Sequence, residues 1–357
     1  MITDPQALEQ DFSEVRDITI IGAGPVGLCT AFWAGMRQAS SRVIDSLPEI
    51  GGQCTTLYPE KWIFDVPGHP KVMANDLVDK LKEQVEPFEV PIHTETTATE
   101  IAWEGEGEDR VVVLTTDRGE LRSRTVIIAG GHGAFEPKRL PVSDVDMEPW
   151  EGRGAHYLVG DKREFSGKKV VIVGGGDSAC DWVINLLDTA EKVTLVHRRE
   201  GFRAHEATVA QVKAAAETEA VDLRVPYVVK EVRGNGHVEG VVLHHAGDEE
   251  DEIVELDCDA VLLQLGFSTK LGPLKEWGLE LEKNAIKVDG LMETNLERVW
   301  ACGDITTFDG KIKLIATGFG EAAIAVAQAV HSFRPDMKLQ PAYSTNTGVP
   351  GGAEGQP

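Results

Sequence analysis

Twice in this chain a run of β-branched residues stops at a cluster of glycines and gives way to a helical pattern. Ile18–Phe32 reads ITIIGAGPVGLCTAF, and Val170–Ala179 reads VVIVGGGDSA. A buried strand that turns tightly into a helix opens a parallel βαβ unit, and its glycines mark where backbone must bend sharply or lie close to another group. Two such openings, far apart in the sequence, call for two parallel sheets. Ser41–Asp45, Thr125–Ala129, Val193–His197, Ala260–Leu265 and Val299–Ala301 supply further strands that alternate with helical patterns, so the chain reads as α/β. Between Val90 and Arg122, and again after Val228, shorter runs with turn signals predict an antiparallel meander added to each unit.

A length of 357 residues fits two domains. The net charge of −24 argues against nucleic acid or an anionic membrane as a general partner. No apolar run is long enough to span a membrane and no N-terminal stretch reads as a leader, so a cytoplasmic protein is expected. No metal-binding cluster is expected. The acidic run Asp248–Glu252 reads as a solvated hairpin tip, and the Gly- and Pro-rich tail beyond about Asn346 as mobile.

In the first glycine turn, Gly22 permits the bend, Gly24 lets backbone approach a pyrophosphate, and Gly27 lets the helix opened by Pro25 lie close on the strand. Asp45 ends the next strand, where an acid accepts a hydrogen bond from a ribose hydroxyl. Downstream, Gly51-Gly52-Gln53 can pass close to a ligand, Gln53 offers polar contacts to a ring edge, and Tyr58 offers an aromatic face. Far along the chain, ERVWACGDI runs a strand into Gly303-Asp304. The pattern is that of an FAD domain to which the chain returns after an insertion.

The second turn, with Gly174, Gly176, Asp177, Ser178 and Ala179, fits G-x-G-x-x-A. The next strand ends not in an acid but in His197-Arg198-Arg199, with Arg203 shortly beyond. Guanidinium groups bind a 2′-phosphate that an acid would repel, so NADPH rather than NADH is expected. One cradle for FAD and one for NADPH implies hydride transfer from nicotinamide to flavin, then onward delivery of electrons.

The stretches IIGAGPVGL, GGQCTTLYPEKWIFDVPG, GGHGAFEPKRL, GGGDSACDW, VHRREGFRAHE, ACGDI and KLIATGFGEAA occur in an order that resembles the thioredoxin-reductase-like ferredoxin (flavodoxin)–NADP reductases. The resemblance implies two Rossmann-like three-layer nucleotide-binding domains, each with its meander. An FAD domain of residues 1–137 and 271–357 would carry an inserted NADPH domain of residues 138–270, in a homodimer. It implies flavin-site positions at Ala98, Phe135, Asp304 and Thr345 as well as Asp45, Gln53 and Tyr58. Tyr58 would stack on one flavin face and Tyr343 on the other. No acid–base residue is expected, because close stacking of the two rings is what hydride transfer needs.

Thioredoxin reductase has the same architecture but passes electrons through a C-x-x-C dithiol, and this sequence has no such pair. Cys29 and Cys180 read as core thiols. An NADPH-dependent flavin reductase acting on quinone, ferric or other small acceptors, and a non-catalytic FAD/NADPH redox sensor, stay open as alternatives. Ferredoxins are commonly acidic, so docking one on this chain requires a local basic patch, with Lys61, Lys71, Lys311 and Lys313 as candidates, or screening by salt.

Overall fold

The computed structural model describes residues 9–59, 61–131, 133–137, 145–157, 159, 161–247, 253–341 and 343–350. The chain divides into two compact units, Met1–Ala134 with Thr269–Pro357, and Phe135–Ser268.

In the first unit, Val15–Ile21 lies between Ser41–Ile44 and Gly119–Ile128, parallel to both, and Ile92–His93 extends the sheet beyond Ser41–Ile44. Ile18, Ile20, Val43 and Ile44 are fully buried, as strands covered on both faces require. The long strand Gly119–Ile128 has a divided outer edge. Its first half pairs antiparallel with Val111–Thr116, which pairs with Ala98–Glu104 to complete the meander. Its second half pairs parallel with Val299–Ala301. The returning chain thus delivers ACGD to the same end of the sheet as the first glycine turn.

Helix Pro25–Met36 packs on helix Ile315–Phe333. Small residues set that approach: a Cβ on Gly318 would stand 2.5 Å from Val26 Cγ2. The long helix buries Gly318, Ala322, Ala325, Val326, Ala329 and Val330 at helical spacing, and one acid, Glu321, on the same stripe.

In the second unit five parallel strands run in the order Ala155–His156, Ala260–Leu263, Lys169–Val173, Lys192–Val196, Val221–Arg224. A separate three-stranded antiparallel sheet, Tyr227–Arg233, Gly240–His245 and Ile253–Asp257, carries the meander. The two meanders therefore differ: one is fused to its parallel sheet and the other stands apart. The Asp248–Glu252 run and the tail beyond Pro350 fall outside the described residues; just before that tail, Ser344–Thr347 form a helical turn.

Among the described residues no helix is long and apolar enough to cross a membrane, and no cluster of His, Cys, Asp or Glu could hold a metal ion.

Candidate functional site

The first glycine turn is tightly packed at two of its three glycines. A Cβ on Gly22 would meet Ala129 O at 2.5 Å, and one on Gly27 would meet Gly22 O at 1.8 Å, so both glycines are forced by packing. Gly24 differs. Its φ of −71° suits any residue, and a Cβ there would find only Gly52 Cα, at 4.0 Å. Gly24 is also the N-cap of helix Pro25–Met36, with no side chain capping the helix and no acid in its first turn. Orphan N–H groups therefore face the open space beside Gly24, which is where an anion is favoured.

Asp45 is buried behind this turn. Its carboxylate accepts the N–H of Ala23 at 2.6 Å and that of Leu47 at 2.8 Å. Burial holds its pKa above the ordinary carboxylate value, against the pull of these two bonds. Thr96 N–H donates to Asp45 O at 2.8 Å, which places Ala98, the first residue of the next strand, two residues from this contact.

The Gly51-Gly52 loop is stitched to the same turn by the Gly51 N–H, which donates to Ala23 O at 2.9 Å. A Cβ on Gly131 would lie 3.6 Å from Gln53 Nε2, so the Gly130-Gly131 turn meets the loop. Tyr58 is largely buried beside Cys54, with Asp304 and Asp65 nearby. Burial first, then these groups, hold its phenol well above the usual range. The first unit thus gathers Gly24, Asp45, Gln53, Tyr58 and Asp304 around one end of its sheet.

Three further expected positions are Phe135, Thr345 and Tyr343. Phe135 is placed by backbone alone, in Ala134–Pro137, and its side chain lies outside what the structure describes. Thr345 is exposed in the Ser344–Thr347 turn, and Tyr343 just before it is 70% exposed.

In the second unit the strand Lys169–Val173 turns into helix Asp177–Leu186. Gly174 is forced, since a Cβ would meet Gln264 O at 2.4 Å, and Gly175 lies under the ring of His197. Gly176 repeats the case of Gly24: its φ of −98° is unrestricted, and no atom lies within 4 Å of its would-be Cβ. The helix it precedes has no side-chain cap. The first-turn acid Asp177 is engaged elsewhere, accepting the His205 N–H at 2.9 Å. Ser178 is exposed at the helix start, and Ala179 is buried against Gly174.

The segment after Val196 folds back over this turn. Arg203 N–H donates to Gly175 O at 2.8 Å, and Phe202 packs on His197 with ring centroids 5.0 Å apart. His197 is held below the ordinary imidazole pKa by burial first and by the neighbouring arginines, against its bond to Gly201 O. It is therefore neutral near neutral pH, and the cationic work falls to Arg198, Arg199 and Arg203. All three are exposed, and no carboxylate among the described residues pairs with them.

All five cysteines are unpaired and buried. Burial pushes their thiols up, Cys54 and Cys180 to about 11 and Cys29, Cys258 and Cys302 to about 12. Such thiols are poor nucleophiles, so the structure offers no dithiol relay.

The lysines considered for a carrier patch divide. Lys61 and Lys71 are exposed on the short hairpin of Trp62–Ile63 and Val72–Met73, with Lys71 Nζ 4.4 Å over the Trp62 ring and Phe64 exposed beyond it. Lys313 is exposed as well. Lys311 is not available: its side chain is 6% exposed and is paired with Glu321. Sequence reading missed this pair. The usable signal was an acid on the otherwise Gly-, Ala- and Val-lined stripe of the long helix.

Two glycine turns, each between a parallel strand and an uncapped helix, define a protein that holds two dinucleotides, one in each unit. Residues 16–329 match the family model described as pyridine nucleotide-disulphide oxidoreductase. A ferredoxin–NADP reductase of Thermus thermophilus is 49% identical over 335 residues, 94% of this chain and 98% of the relative. One of Enterococcus faecalis is 45% identical over 344 residues, 95% and 99% of the two chains. Among solved structures, the thioredoxin reductase of Lactococcus lactis shares the fold with a TM-score of 0.72 at 24% identity, covering 90% of this chain and 99% of its own. The chain belongs to the ferredoxin–NADP reductase family, within the pyridine nucleotide-disulphide oxidoreductases.

Proposed function

We propose that this protein moves electrons between NADPH and a ferredoxin or flavodoxin through bound FAD. The observation that carries the reading is the pair Gly24 and Gly176. Each is a glycine that neither its backbone angle nor its neighbours require, and each stands before an uncapped helix N-terminus. Space kept free at both positions fits the close approach of a pyrophosphate. The family match and relatives that are themselves ferredoxin–NADP reductases support the same reading.

When bound, FAD supplies the conversion between the hydride of NADPH and single-electron transfer. The chain's own residues bind and orient. Gly22, Gly24, Pro25 and Gly27 shape the pyrophosphate cradle, Asp45 faces the ribose, Gln53 and Asp304 meet the polar edge and chain of the flavin, and Tyr58 lies against its ring. Ala98, Phe135 and Thr345 belong to the same proposed set. In the second unit Gly174, Gly176, Asp177, Ser178 and Ala179 form the cradle, with Asp177 acting through the His205 N–H to fix the arginine-bearing segment. Arg198, Arg199 and Arg203 grip the 2′-phosphate, and neutral His197 packs beneath them. No side chain is asked to move a proton.

A homodimer belongs to this reading, supported by the exposed ring of Tyr343, which has area to give to the flavin site of a second copy. A cytoplasmic location is supported by five cysteines without a disulfide among them. Buried, unreactive thiols favour a protein carrier over a disulfide substrate. The direct test is anaerobic mixing: NADPH should bleach the bound flavin, and oxidised ferredoxin should restore its colour. Flavin that bleaches but is not reoxidised by ferredoxin would leave a small-molecule reductase.

A further inference from the structure

The turn Gly303-Asp304 is held by a buried ion pair that the proposed chemistry does not use. Glu321 Oε2 accepts the Gly303 N–H at 2.7 Å, while Lys311 Nζ donates to Gly303 O at 2.9 Å. Lys311 and Glu321 also bond directly to each other, and their side chains are 6% and 7% exposed. Thr306 adds its hydroxyl to Gly303 O at 2.8 Å. Both polar groups of one glycine are thus fixed by two opposite charges from different segments.

Two charges out of water are a poor way to gain stability, because desolvation offsets most of their attraction. The arrangement needs another reason. Gly303 sits at φ +81°, a conformation that glycine tolerates; within the turn only its carbonyl is held, by the Thr306 N–H at 3.0 Å and the Thr306 hydroxyl, while its N–H depends on Glu321. A Cβ there would press on Val26, at 3.2 Å, so the turn lies against the helix that opens the first cradle. Asp304 follows directly, close enough to Tyr58 to raise its pKa. A rotation of the Gly303 peptide would move the Asp304 carboxylate from its place near Tyr58.

We infer that Lys311 and Glu321 are positioning residues that lock the Gly303-Asp304 turn in the orientation that receives the polar chain of FAD. The inference rests on the FAD reading of the first cradle. Glu321 is the part that matters most, because its oxygen holds the N–H of Gly303; Lys311 neutralises that acid and steadies the carbonyl. Phe308, whose ring lies 5.4 Å from Lys311 Nζ, keeps the ammonium from solvent.

The test compares two double variants, neither of which strands a buried charge. Lys311→Met with Glu321→Gln keeps an oxygen that can accept the Gly303 N–H; Lys311→Met with Glu321→Ala does not. FAD affinity is read by titrating apoprotein, alongside the visible circular dichroism of the bound flavin and the melting temperature of the apoprotein. The Glu321→Ala double should bind FAD about tenfold or more weakly, with an altered flavin signal, and the Glu321→Gln double should stay within about threefold of the parent. If the Glu321→Ala double keeps parental affinity and spectrum while only its melting temperature falls, the pair is structural and the inference fails. Equal weakening of both doubles would overturn it too, since the acceptor on Gly303 would then not matter. A parent protein that binds no FAD would instead sink the reading of the cradle itself.

Discussion

The carboxylate of Asp45 accepts the backbone N–H of Ala23 at 2.6 Å, so the end of one strand holds the glycine turn that follows its neighbour. The acid expected to meet a ribose is therefore also a fastener of the cradle, through Ala23 and through Leu47 at 2.8 Å. Removing it leaves two N–H groups without their acceptor, a cost of about 1–3 kcal/mol each where they are buried. Asp45→Ala should lower the melting temperature and release FAD on desalting. Full retention of FAD at an unchanged melting temperature would show that Asp45 serves neither role.

Arg198, Arg199 and Arg203 stand exposed around a turn whose first-turn acid is already engaged. Each charge-assisted bond to a phosphate is worth about 1.5–3 kcal/mol, or about ten- to a hundredfold in affinity. Arg198→Ala or Arg199→Ala should raise KM for NADPH by about tenfold or more and leave KM for NADH nearly unchanged. Steady-state kinetics with the two nucleotides decide it; equal losses for both would mean the arginines do not read the 2′-phosphate.

Asp11 is buried against His93 at 2.8 Å and Arg42, and reaches Arg16 at 2.7 Å. Burial raises its pKa, but the His93 bond and the two arginines outweigh it and hold the group below 3.8. A depressed carboxylate contributes stability that is present above the unfolded-state value and is lost as pH falls through the folded one. Asp11→Asn should cost about 3–5 kcal/mol near neutral pH, because Arg42 is left buried without its countercharge, and the gap from the parent should narrow below about pH 4. Urea melts of both proteins across this range test it, and a gap that is constant with pH would contradict the assignment.

Tyr343 presents an exposed aromatic ring just before the Ser344–Thr347 turn. If it covers a flavin, Tyr343→Ala should alter the flavin absorbance and the rate of NADPH turnover while leaving the melting temperature within a few degrees. Unchanged spectrum and turnover would remove Tyr343 from the site.

Local pattern carried the parallel strands and both glycine turns into the sequence, because tight bends and close packing leave no substitute for Gly22, Gly27 and Gly174. The arginines were legible for the same reason: a change of residue type at a fixed strand end changes the charge that fits there. What stayed hidden depends on contacts between distant segments. The Trp62–Ile63 and Val72–Met73 hairpin is too short to show a period. Lys311 reads as a surface cation until the long helix brings Glu321 beneath it. That Asp177 also accepts the His205 N–H depends on the segment after His197 folding back. Charge balance was equally silent on place: a chain of net charge −24 still leaves Lys61 and Lys71 exposed together beside Trp62.

The most direct test of the central claim is the rate of NADPH-driven cytochrome c reduction by the purified protein, with and without ferredoxin, across a salt series. A saturable rate that depends on ferredoxin and shifts with ionic strength is the predicted result, since an acidic carrier must find a local basic surface on an acidic protein. A rate indifferent to ferredoxin at every salt concentration would contradict it and would leave the flavin chemistry in place with a different acceptor.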